Sequence, residues 1–196
     1  MVQEKKFMKK VYSFSAFARD FLIFHKNIPA IIASLIHRKI SKPFESKIML
    51  TVTAVNGCKY CAWFHSKEAV NAGLDQDEVR RMLSRQLDIQ IGDEESNALN
   101  FAVHYVETDQ KPDRELVANL YDVYGVKAAD DIFLKLRMIY FGNLCGNTFE
   151  GFLSRLKGVK PENSLWVSEL IIFLILSPLY GLLALLMKNE KGPAPI

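Results

Sequence analysis

The stretch Ala54-Val55-Asn56-Gly57-Cys58-Lys59-Tyr60-Cys61-Ala62-Trp63-Phe64-His65 organises the reading of this chain. Asn56-Gly57 interrupts a run of helical character, which places the cysteine pair at the start of a new helix. On a helix, positions 58, 61 and 65 are spaced i, i+3 and i+7 and share one face. Two thiols so placed can close a disulfide or share a metal, and a histidine one turn away can move their protons. A helix start offers unpaired N–H groups and the positive end of the dipole, which favour thiolate over thiol and lower the pKa from about 8.5. The spacing alone does not say which cysteine gains more.

Outward from this motif, nearly everything reads as helix. Pro43 opens the preceding helix, which carries Ile48, Leu50, Val52 and Val55. The cysteine helix runs over about 58–72 and stops at Gly73. Asp75 with Glu78 resembles a capping box for a helix over about 76–86. Asp93 and Asp113 cap the next two, the second ending near Gly125. An apolar helix spans about 127–141. Gly142-Asn143 then breaks the pattern before a segment with Phe149, Phe152, Leu153 and Leu156. Towards the N-terminus, Val11 to His25 repeats Phe14, Phe17, Phe21 and Phe24 at helical spacing, and Pro29 to His37 forms a short second helix. Period-2 alternation is scarce. The predicted fold class is all-α, with about eight or nine helices. Residues 1–160 form a helical domain that includes the N-terminal helices, and 161–196 an apolar C-terminal helix and tail.

Three cysteines in 196 residues do not make a secreted disulfide framework. The lysine-rich start is followed by an amphipathic pattern rather than a signal-peptide core, so a reducing, cytoplasmic setting is expected. A net charge of +3 argues against a dedicated nucleic-acid binder. The charge is uneven: residues 1–47 hold ten Lys/Arg against Glu4, Asp20 and Glu45. Such a start reads first as a solvated helix face, with contact to an anionic membrane as the alternative. Leu170 to Met187 is uncharged throughout, preceded by Trp166 and followed by Lys188 and Lys191. At about 1.5 Å per residue it reaches the short end of a bilayer span. Ser177-Pro178 and Gly181 interrupt it midway. The segment 170–187 is therefore either membrane-associated or buried between subunits.

The segment Ala54 to Cys61 followed by His65 closely resembles the AhpD-like alkylhydroperoxidase / carboxymuconolactone decarboxylase family. Ala72-Gly73-Leu74-Asp75 with Glu78 looks like that family's next helix entry, and Asp93 to Val103 is similar to its later helix. The resemblance covers about 43–157. It implies an all-helical homo-oligomer that reduces organic hydroperoxides without a thioredoxin fold. By that resemblance Cys61 is the attacking thiol, Cys58 resolves it to a disulfide, and His65 belongs to a proton relay. A dithiol partner, lipoylated or thioredoxin-like, supplies the electrons, and neither cofactor nor resident metal is needed. Peroxidase members also carry a Glu twelve residues before the first cysteine. Here that position is Ser46, with Glu45 beside it, and a one-residue offset rotates a helical side chain by about 100°. Glu45 serves the relay if the helix entry after Pro43 is shifted; otherwise it is a first-turn carboxylate favoured by the dipole.

Other readings stay open. The same fold can act as a disulfide reductase or redox sensor with negligible peroxide turnover. A non-enzymatic alternative is a membrane-peripheral protein holding zinc on Cys58, Cys61, His65 and Cys145. His25, His37 and His104 read as surface or boundary residues. Tyr60 and Trp63 flank the cysteines and either shape an apolar pocket or pack in the core. Cys145, set among turn-forming residues, is expected at a helix junction as a buried free thiol.

Overall fold

The computed structural model describes residues 6–86, 93–162 and 164–189. Among them are eight helices and no strand. They are α1 (Phe14–Lys26), α2 (Ile28–Ile36), α3 (Lys42–Asn56), α4 (Lys59–Asn71), α5 (Gln76–Leu83), α6 (Asp93–Glu107), α7 (Arg114–Leu156) and α8 (Trp166–Asn189). Local chemistry sets the boundaries. Ser13 and Ser41 cap α1 and α3 through their hydroxyls. The Asp75 carboxylate accepts the backbone N–H groups of Asp77 and Glu78 at the start of α5. Gly57 ends α3 at φ 68°, a left-handed conformation that costs glycine little.

Helix α3 is the centre of the fold. Ile48, Leu50 and Val52 are fully out of water, and the helix packs against α4, α5, α6 and α7. Leu99 and Ala102 of α6, with Ile132 and Leu136 of α7, complete the core. Burial of one such side chain is worth about 1.5–3 kcal/mol, which explains why a helix with two threonines on its buried face holds its place. The phenylalanines of α1 gather round Phe141 of α7, with Phe24 stacked on it at 5.0 Å between ring centroids. Phe14 alone of that repeat faces solvent. Helix α8 lies along α7, stacking Phe173 on Phe149 at 4.8 Å and burying Ile172 and Tyr180.

Three sequence expectations are corrected. Gly142-Asn143 does not break a helix: α7 continues to Leu156, and its interruption lies at Gly125 (φ 71°, ψ 164°). Both residues have tertiary partners that override their turn preference. Asn143 is wholly buried and its Oδ1 accepts the Thr53 hydroxyl at 3.2 Å, while the Gly142 carbonyl accepts the Tyr180 hydroxyl at 2.6 Å. Cys145 is accordingly inside α7 and not at a junction. Asp113 occupies the cap position of α7, but its side chain makes no capping bond; it faces His104 Nε2 at 3.5 Å. The expected Asp93 cap lies outside the described residues, although α6 does begin at Asp93.

Candidate functional site

Cysteine 58 is the N-cap of α4, and its Sγ accepts the Cys61 backbone N–H at 3.3 Å. The first sulfur thus sits on the free amide end of the helix, where negative charge is favoured. Cys58 and Cys61 are paired as a disulfide with their Cα atoms 5.3 Å apart. The turn that presents them is held from outside. Arg85 donates from Nε and Nη2 to the carbonyls of Ala54 and Val55, at 3.1 and 2.7 Å. Asn147 of α7 donates to the Asn56 carbonyl at 2.8 Å. These bonds occupy the last carbonyls of α3, which a helix end leaves without partners.

The pair is asymmetric. Cys58 is sealed against α7 at Gly146, where a Cβ would stand 2.6 Å from its Sγ and 2.9 Å from the Tyr180 ring. Only glycine leaves room for this contact. Cys61 instead borders an apolar cavity of about 260 Å³. Tyr60, Phe64 and His65 of α4 share that cavity, as do Met49 of α3 and Met138, Ile139 and Gly142 of α7. Its remaining wall is Leu179, Tyr180 and Leu183 of α8. Trp63 is not among the lining residues; the Lys67 ammonium lies over its ring at 3.9 Å.

His65 is half-buried at the edge of the cavity, and desolvation lowers its pKa from 6.5 to about 4. At neutral pH the ring is an uncharged imidazole that can accept a proton. Glu45 is placed elsewhere. Its carboxylate meets the wholly buried Lys135 ammonium at 3.0 Å and Arg38 at 3.5 Å. Among the described residues His65 is not one of its partners, and Glu45 does not line the cavity. Ser46 is buried beside it. The structure therefore brings Cys58, Cys61 and His65 together and ties Glu45 to α7.

Cys145 is buried as a free thiol, and burial raises its pKa well above the ordinary value. Among the described residues no group of three or more His, Cys, Asp or Glu side chains is arranged to hold a metal, so the four-ligand zinc set does not assemble. Sequence reasoning missed the α8 wall and the methionines. Tyr180 carried a usable signal, being one of two hydroxyl side chains in an otherwise apolar run.

Residues 29–104 match the carboxymuconolactone decarboxylase family, a span that takes in α3, α4, α5 and both cysteines. No curated protein and no solved structure matches the chain.

Proposed function

From the match of residues 29–104 to the carboxymuconolactone decarboxylase family we propose that the chain is a thiol peroxidase reducing organic hydroperoxides through a Cys58–Cys61 dithiol–disulfide cycle. The observation that carries the reading is the asymmetry of the pair: Cys61 borders an apolar cavity beside a neutral histidine, and Cys58 is sealed behind it.

In the reduced protein His65 takes the Cys61 thiol proton. The thiolate attacks the terminal peroxide oxygen, the O–O bond breaks, and the alkoxide leaves as the alcohol after taking up that proton. The Cys61 sulfenic acid is then attacked by the Cys58 sulfur, which forms the disulfide and releases water. A dithiol donor returns two electrons and two protons by exchange, becoming a disulfide itself. A lipoylated or thioredoxin-like protein fits that role. Assembly as a homo-oligomer belongs to the same reading.

The position of Glu45 favours a second reading. With its carboxylate engaged by Lys135, the relay lacks its acid, and the same helix start serves thiol–disulfide exchange as a disulfide reductase or redox sensor. Hydroperoxide consumption with dihydrolipoamide or dithiothreitol separates the two. Turnover by the wild type that is lost in Cys61→Ser and confined to a single cycle in Cys58→Ser supports the peroxidase. Equal rates in all three proteins contradict it, and a reversible disulfide without turnover selects the reductase.

A further inference from the structure

We propose that the outer face of α8 docks on an anionic lipid bilayer and that the cavity beside Cys61 takes an acyl-chain hydroperoxide from that bilayer. The substrate half of this rests on the peroxidase reading; the docking half does not.

Helix α8 lies outside the family-matched segment, yet it closes the site with Leu179, Tyr180 and Leu183. Two residues are both cavity wall and open surface: Leu179 is 57% exposed and Phe64 is 44% exposed. The mouth of the cavity is thus rimmed with apolar side chains. From Leu179 the exposed stripe continues at helical spacing through Leu182 and Leu186, and on the other side through Ile175. Within the span Trp166–Lys188 the most apolar 18-residue window has a mean hydropathy of 2.6, and only 11% of that window is buried. A soluble surface rarely leaves so long an apolar stripe uncovered.

A bilayer is the occupant that fits. The inner face of α8 is packed on α7, so the helix lies in an interface and does not cross it. Its one carboxylate, Glu169, is fully buried and held by Arg155 at 2.6 and 2.7 Å. The outer face therefore presents no negative charge to anionic headgroups. Exposed Trp166 and Lys188 stand at its two ends. Helix α1, packed against α8, ends in exposed Lys26, while Lys6, Lys9, Lys10, Arg19, Arg38 and Lys47 of the same basic N-terminal segment are paired with carboxylates. An acyl chain leaving the bilayer beside Leu179 meets an apolar lumen with Cys61 at its side. The reaction there balances as before: the lipid hydroperoxide gains two electrons and two protons from the dithiol and leaves as lipid alcohol and water.

The test uses the full chain with phosphatidylcholine–phosphatidylglycerol vesicles. Wild type is expected to co-sediment, and Leu182→Gln with Leu186→Gln to reduce bound protein about tenfold. These side chains are exposed, so circular dichroism should be unchanged. Wild type left in the supernatant overturns docking, as does a double variant that binds equally or that merely turns an oligomer into monomers, which makes the face a subunit interface. In parallel, turnover of phosphatidylcholine hydroperoxide in the same vesicles is compared with tert-butyl hydroperoxide. Faster turnover of the lipid, lost in the double variant while the soluble substrate is still consumed, supports the assignment. Turnover of the soluble substrate alone overturns it and leaves the peroxidase standing. Turnover of neither removes the peroxidase reading and the lipid substrate with it, while sedimentation still decides docking.

Discussion

His65 is half-buried and Lys135 wholly buried, and of the two only Lys135 meets a countercharge among the described residues. Lys135 is completely buried and meets Glu45 at 3.0 Å, with Arg38 adding to the same carboxylate. Half-buried His65 has no acidic partner among the described residues, and its pKa falls to about 4. Desolvation penalises the charged form of either group, and a partner offsets it only where one is supplied. One region thus becomes a fixed ion pair that joins α3 to α7, and the other a neutral imidazole that shares a cavity with Cys61. The carboxylate that family resemblance would lend to the second is consumed by the first.

The largest effect should come from breaking the ion pair. Glu45→Ala leaves Lys135 buried and uncompensated, and should cost about 3–5 kcal/mol of stability in urea denaturation. The double change Glu45→Leu with Lys135→Met removes both charges and should recover most of that loss. If Glu45→Ala instead keeps its stability and loses only peroxide turnover, Glu45 is a relay acid and the contrast fails.

A smaller effect tests the seal behind Cys58. Gly146→Ala drives a Cβ into the Cys58 Sγ and the Tyr180 ring, and overpacking of this kind costs about 1–3 kcal/mol. Thermal melts of the oxidised protein should drop accordingly. An unchanged melting temperature would show that α7 does not press on the disulfide.

An effect of the same order is a slope. Folding lowers the His65 pKa from 6.5 to about 4, so the unfolded chain binds a proton that the folded chain refuses between those values. Stability is level above this window and falls as pH drops through it. His65→Gln should flatten that part of the profile, read as urea midpoints between pH 7 and pH 4. An identical slope in the variant would mean that His65 is protonated or solvated in the folded state.

How far the sequence reaches depends on the range of the forces involved. Asn56-Gly57 was legible because the left-handed Gly57 is a local requirement, and it located Cys58 at a helix start. Gly142-Asn143 carries equally strong turn chemistry, but Thr53 and Tyr180 engage the Asn143 Oδ1 and the Gly142 carbonyl from other helices, and the helix continues. The thiol pair and His65 lie within eight residues and were read from spacing. The partner of Glu45 lies ninety positions away on α7, and no local pattern announces Lys135. The apolar run of α8 was plain, but its role as a wall of the site depends on packing that periodicity does not encode.

The central claim is that Cys58 and Cys61 form a peroxide-driven couple with Cys61 as the attacking thiol. Its most direct measurement treats the fully reduced protein with one equivalent of tert-butyl hydroperoxide and maps thiols by alkylation and mass spectrometry under denaturing conditions. The account predicts one equivalent of alcohol, loss of the thiols of Cys58 and Cys61 to a mutual disulfide, and a Cys145 that still alkylates. Hydroperoxide left unconsumed while both thiols stay free would contradict it.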